Sequence, residues 1–364
     1  MNNKKVKNKN IKRSILIGIL VFILSFSVIS IIIIKSMFDD NFSRVDKKEF
    51  TKYMRYKDVA DSYDRLIVTF KSGENTLTGY IYGEENTKGL VVISHGLGDG
   101  AEGYMPETLA FIDAGYRVFS FDNTGSIESE GKGTRGLSQS LIDLDAALTY
   151  SKSNEKLNDL PILLYGHSWG GYAVAAILNY DHDITASVSV SGYNTPMELL
   201  MEQGKTMMGK FSDIVYPYIW LYQKYLFGSF SNVSAINSIN STDTPVMIIH
   251  GSNDYTILYD GASIISKRDR ITNPNVIYKV CQNENHDGHN NLFMSENAVR
   301  YNDELNEYYE EINNQYNGDI PTQVIKDFYA EVDKFKISDL DDQYISDVLS
   351  FYESTMLVDK NGTK

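Results

Sequence analysis

A serine hydroxyl becomes a nucleophile when an imidazole can take its proton and a carboxylate can hold that imidazole in place. Ser168, Asp254 and His289 supply those three groups, and each follows a short apolar run. The chemistry of such a trio is acyl transfer, in which the serine attacks a carbonyl and the histidine serves first as base and then as acid.

Ser168 carries the strongest local signal. Pro161–Gly171 reads Pro-Ile-Leu-Leu-Tyr-Gly-His-Ser-Trp-Gly-Gly, and a helix-like stretch Tyr172–Leu178 follows. A strand that turns at once into a helix puts the turn residue at the sheet's end, before a helix N-terminus that favours negative charge. The turn is tight, so its flanks must be small, and Gly166 and Gly170 meet that need. A developing oxyanion needs N–H donors. Trp169, directly after the serine, is one candidate. Leu97, in the loop His95-Gly96-Leu97-Gly98-Asp99-Gly100 after the apolar run Leu90–Ser94, is the other.

Asp254 lies just past the strand Pro245–His250, where a carboxylate can orient a histidine; the structural alternative is an Asx turn. Two histidines, His286 and His289, follow the strand Val276–Val280. His289 comes after Gly288 and opens what reads as a helix, so it is assigned as the base, with His286 as the other candidate. His286-x-x-His289 lacks a carboxylate-rich ligand set, so no metal is expected.

These residues need a scaffold. Leu66–Phe70 and Leu77–Tyr82 read as strands joined by the turn residues Lys71–Asn75. Leu90–Ser94, Tyr116–Asp122, Ile162–Tyr165, Ile184–Ser191, Pro245–His250 and Val276–Val280 are further strands, mostly apolar throughout. Helical stretches such as Thr108–Ala114 and Ser138–Tyr150 alternate with them. The alternation predicts a doubly wound, mostly parallel α/β sheet with an antiparallel start, whose ligands bind at the strands' carboxyl ends. Residues 193–242 break the pattern with Met- and Tyr-rich helical spacing and read as a lid. Beyond Tyr301, helical stripes predict a C-terminal extension over 301–364, including one helix over Pro321–Lys336 and a last helix opened by a Ser338/Asp341 capping box.

The first thirteen residues carry six Lys or Arg and no acid, and Ser14–Ile34 then runs without a charge. At 1.5 Å per residue that run spans about 30 Å, a bilayer's hydrocarbon core. A basic tail (1–13), a transmembrane anchor (14–34), a stalk (35–61) and a catalytic domain (62–300) are expected. The basic flank places the domain outside the cell membrane. The rival reading, a cleaved signal peptide, fits less well because the run is long and no A-x-A-like site follows. Net charge is −14 overall, and with the six N-terminal cations set aside the remainder carries −20. So acidic a domain is a poor partner for nucleic acid. The one cysteine, Cys281, excludes an internal disulfide framework.

His95-Gly96-Leu97-Gly98, Asp122-x-x-Gly125, Gly166-His167-Ser168-Trp169-Gly170-Gly171, His250-Gly251-Ser252-x-Asp254 and Gly288-His289, in that order, resemble the α/β-hydrolase superfamily. The resemblance runs from about Leu66 to about Asn291 and is strongest to the monoacylglycerol-lipase and serine-aminopeptidase-like branch. It implies an eight-stranded sheet with a lid after strand six, and hydrolysis of a small acyl substrate by Ser168, His289 and Asp254 without a cofactor. One departure is Thr124, where that branch carries an arginine before the glycine. Two other functions stay open: a hydrolase-fold binding or sensing protein without turnover, and an acyltransferase.

Overall fold

The computed structural model describes residues 2–362, with side chains from 10 to 357. Most of the basic side chains expected in the 1–13 tail, and the last two residues of the 301–364 extension, lie outside these described residues. The chain begins with α1 (Asn2–Asn41), of which Asn10–Asn41 is long and apolar enough to cross a membrane. Ile15–Leu24 is exposed over its whole length, whereas Ser30, Ile34, Phe38 and Phe42 are buried against the domain. That spacing of four is one face of a helix.

The segment expected as a stalk lies packed along the domain. Past Asn41 the chain bridges to Gly133 and Ser126, and the Arg44 guanidinium donates to the carbonyls of Ile127 (2.6 Å) and Ser129 (2.9 Å). Met54 and Val59 are buried. The apolar residues within this charged segment find the body.

Strands β1 (Arg65–Ser72) and β2 (Asn75–Tyr82) form a hairpin, and β2 pairs antiparallel with β4 (Arg117–Phe121), which follows β3 (Leu90–Ser94) and α2 (Met105–Asp113). After α3 (Gln139–Ser153), β5 (Ile162–His167) lies beside β3, and α4 (Trp169–Ala176) leads to β6 (Ile184–Val190). The lid helices α5 (Pro196–Met208) and α6 (Phe211–Phe227) precede α7 (Ala235–Asn240), β7 (Val246–Gly251) and β8 (Val276–Cys281). The eight-stranded sheet runs β1-β2-β4-β3-β5-β6-β7-β8, parallel from β4 onward. β3, β4 and β5 are buried at every position, which explains why their sequences are mostly apolar.

Of the helices in the 193–242 segment, α5 and α6 line the cavity at the strand ends. α7 buries Ala235, Ile236 and Ile239 in the main core. α5 starts cleanly because Thr195 caps it and Pro196 follows.

The C-terminal extension also divides. α8 (Glu296–Gln315), α9 (Thr322–Ala330) and the short α10 (Lys334–Ile337) share a small core of their own. The expected single helix over 321–336 is therefore two, interrupted at Asp333, whose carboxylate caps α10. α11 (Asp342–Gly362) instead returns to the sheet and fills one face with Tyr344, Val348, Phe351 and Tyr352. Each such apolar burial contributes roughly 1.5–3 kcal/mol. Asp341 alone caps α11, while Ser338 accepts from Met54 N–H (3.0 Å), so the expected capping box is not formed.

The tightest constraint in the sheet is at Gly170. A Cβ there would sit 1.8 Å from the Ser94 carbonyl oxygen at the end of β3. Gly170→Ala is expected to lower the melting temperature by 10 °C or more or to abolish soluble expression; a melt matching wild type in a thermal scan would show that β3 and α4 are not pressed together.

Candidate active site

β5 ends at His167 and α4 begins at Trp169, leaving Ser168 alone at the turn with φ 57° and ψ −112°. A non-glycine residue in such a region costs roughly 1–3 kcal/mol, so the surroundings must enforce it. Ser168 N–H donates to Val190 O (2.8 Å) and Ser168 O accepts from Tyr172 N–H (3.0 Å). Gly166 lets the turn close, since a Cβ there would lie 2.3 Å from Gly170 O.

The ends of β7 and the loop after β8 press together just as closely. A Cβ on Gly251 would meet Asp287 O at 2.2 Å, and Asn253 N–H donates to Asp287 O (2.8 Å). This contact sets His289 against Asp254. His289 Nδ1–H donates to Asp254 Oδ2 at 2.7 Å, which leaves Nε2 as the acceptor on the ring. Asp254 Oδ1 accepts from the N–H groups of Thr256 (2.8 Å) and Ile257 (2.9 Å), so the carboxylate makes an Asx turn and holds the histidine at once. His250, a residue the sequence reading left without a role, puts Nε2 3.3 Å from Asp254 Oδ2. Burial pushes the Asp254 carboxyl up, but hydrogen bonds from His250, His289 and Ile257 N–H outweigh it and hold the group well below the usual carboxylate range.

Ser168 and His289 line the same cavity, whereas His286 does not. No hydrogen bond joins Ser168 Oγ to His289 in this structure; such contacts commonly tighten only when substrate is bound. No helix opens at His289, contrary to the sequence expectation: residues 282–291 are irregular and α8 starts at Glu296. His289 is fixed instead by its backbone, with Gly288 N–H on Asn291 Oδ1 (2.8 Å) and His289 O accepting from His167 Nε2–H (2.9 Å). Leu97 and Trp169 both line the cavity. Trp169 opens α4, so its N–H has no carbonyl one turn back. Leu97 N–H meets no protein acceptor among the described residues.

Over 76% of this chain and 98% of the other, the backbone matches an esterase of Pyrococcus furiosus, Pf2001, with a TM-score of 0.52 and 22% identity. The fold is that of the α/β-hydrolases. A family model described as serine aminopeptidase, S33, matches residues 85–241, from before the Leu97 loop to the end of the lid region. Two curated relatives are each 28% identical: the quorum-quenching protein AidA of Acinetobacter baumannii over 144 residues, and the monoglyceride lipase of Saccharomyces cerevisiae over 151. Those matches cover 37% and 38% of this chain, and the chain spans about half the length of the relatives, 47% and 46%.

Within the hydrolase fold, His167 links two sides of the site in a way the motif alone did not disclose. Its Nε2–H holds the His289 carbonyl, while its Nδ1 accepts from Tyr104 OH (2.7 Å), which in turn accepts from Gly96 N–H (3.0 Å). Burial, reinforced by the neighbouring His289, pushes the His167 pKa down to about 3, so the ring is a neutral strut. Two other marked residues are also struts. His95 Nε2 accepts from Asn123 N–H (2.9 Å), and Asp122 accepts from Ala101 N–H (2.8 Å) and Tyr80 OH (2.9 Å). Thr124, at the departure from the branch pattern, ties its N–H (2.8 Å) and hydroxyl (2.9 Å) to buried Asp143. Among the described residues, no group of three or more His, Cys, Asp or Glu gathers to hold a metal.

The cavity measures about 920 Å³ and is walled by α5, α6, the 337–340 segment before α11, and the C-terminal part of α1. Glu107 on α2 lines it too, buried, with Tyr165 OH 3.5 Å away as a weak donor. Burial pushes its carboxyl up to about 7. The unfolded chain gives up this proton near the ordinary value, so stability is full at low pH and falls as pH rises from about 4.5 through 7. Glu107→Gln should therefore gain on wild type by on the order of 1–3 kcal/mol between pH 5 and pH 8. Denaturant melts at the two pH values measure this, and parallel curves would exclude a neutral Glu107.

Proposed function

We propose that this protein is a membrane-anchored serine hydrolase that cleaves acyl esters, or the related thioesters or amides, through an acyl-enzyme. Ser168 attacks the carbonyl. His289 takes its proton at Nε2 and returns it to the leaving group, while Asp254 holds Nδ1–H and stabilises the imidazolium. Leu97 and Trp169 N–H receive the oxyanion, each such donor being worth roughly 3–4 kcal/mol. Water then repeats the sequence on the acyl-enzyme.

The observation that carries this reading is the meeting, in one cavity, of a positive-φ serine on a strand-to-helix turn and a histidine paired with a buried carboxylate at 2.7 Å. A surface serine in a glycine-rich turn has no need of the strained backbone. The likeness to the serine aminopeptidase model and to the yeast monoglyceride lipase supports the same chemistry.

Ser168→Ala and His289→Ala are each expected to lower kcat on p-nitrophenyl butyrate by on the order of 10⁴-fold or more. His286→Ala should change it less than threefold. A fluorophosphonate probe should label wild type and not Ser168→Ala. Loss of activity in His286→Ala with retention in His289→Ala would reassign the base.

The basic flank of α1 sets the topology proposed here, with the N-terminus in the cytoplasm and the hydrolase domain outside. Protease added to intact cells should release the domain; complete protection with the protein present in the membrane would reverse the orientation.

A further inference from the structure

α1 does more in this structure than tether. Its residues Phe26, Ile29, Ser30, Ile33 and Ile34, all within the uncharged run, line the same cavity as Ser168. From Phe26 to Ile34 the helix rises ~12 Å, so if the run spans the bilayer the cavity wall descends that far below the outer interface. The first charged residue after the run is Lys35.

The lid is bound to this part of α1. Phe26 meets Tyr218 edge-on at 5.9 Å, Ser27 Oγ lies 3.0 Å from Tyr218 OH, and Phe38 meets Tyr222 at 5.0 Å. Along the seam between α1 and the lid, Ile29, Ile33, Met207 and Phe211 line the cavity and are each about half or more exposed. α6 also exposes Ile214, Trp220, Leu221 and Tyr225. A soluble domain does not normally leave so large an apolar patch open; beside a membrane helix it fits the interfacial zone, where Trp and Tyr are enriched.

We propose that α1 is a wall of the substrate site and that the seam between α1 and the lid admits one acyl chain of a membrane lipid laterally from the outer leaflet. The proposal rests on the acyl-transfer reading and names its substrate class. Apolar residues of α1 and of the lid line the same cavity as Ser168, which gives an acyl chain apolar contact on its way in. A cavity of about 920 Å³ lies at the upper end for small-molecule sites and has room for such a chain. The anchor then has to remain uncleaved for the site to be whole.

The test uses full-length Ser168→Ala in phosphatidylcholine vesicles carrying palmitic acid with a terminal diazirine. After irradiation, label is expected on Tyr193 and Leu199, interior residues of the same cavity. Ile33→Trp at the seam, and the milder Ser30→Phe, should cut that interior label at least fivefold, whereas Ile32→Trp, outside the cavity lining, should leave it. Interior label that is absent, or that ignores both wall substitutions, would overturn the proposal. Hydrolysis of soluble p-nitrophenyl butyrate by the protein with Ser168 intact is scored separately. Its absence counts against acyl transfer, and the label pattern still decides the wall.

Discussion

The contact on which the site depends is backbone against backbone, where α4 starts beside the end of β3. Gly170 has no room for a methyl group because the Ser94 carbonyl occupies that space. Gly166 and Gly170 close on each other for the same reason, and together they force Ser168 into a conformation it would not choose. One steric constraint thus fixes the direction of Ser168, and the Leu97 loop, which leaves β3 directly, lines the same cavity. A second contact of the same kind, Gly251 against Asp287, seats the histidine loop on the carboxylate strand.

Between these two contacts runs a chain of neutral hydrogen bonds, from Gly96 N–H through Tyr104 and His167 to the carbonyl of His289. Its neutrality follows from burial, since a charged His167 would sit in an apolar interior beside another imidazole. The same logic separates the acids. Asp254, given donors on both oxygens, stays ionised, whereas Glu107, given almost none, holds its proton into the neutral range. Burial is common to all three; the hydrogen-bond partners decide the outcome.

Much of the scaffold was legible because a covered parallel sheet favours mostly apolar strands, and all eight strands stood where such a run or a turn-linked pair appeared. The glycines at the turns marked close approaches that proved real. The supports were not legible. His167 and His250 looked like motif filler, because their partners Tyr104, His289 and Asp254 are remote in sequence or hidden in a turn. The Asp333 break in the 321–336 stripe was missed because apolar periodicity survives a one-turn interruption. Nothing in the uncharged run of α1 distinguishes the face at Ser30 and Ile34, since a helix apolar all round carries no stripe to read. That this face lines the cavity appears only when the lid is seen beside it.

In this hydrolase fold α1, the lid helices and the strand ends enclose one space. The most direct measurement is the structure of the full-length protein after reaction with a long-chain alkyl fluorophosphonate. The account predicts phosphorus bonded to Ser168 Oγ, a phosphoryl oxygen about 2.7–3.1 Å from the N–H groups of Leu97 and Trp169, and His289 Nε2 turned toward the adduct. Phosphorus on another residue, or a phosphoryl oxygen pointing away from both N–H groups, would contradict it.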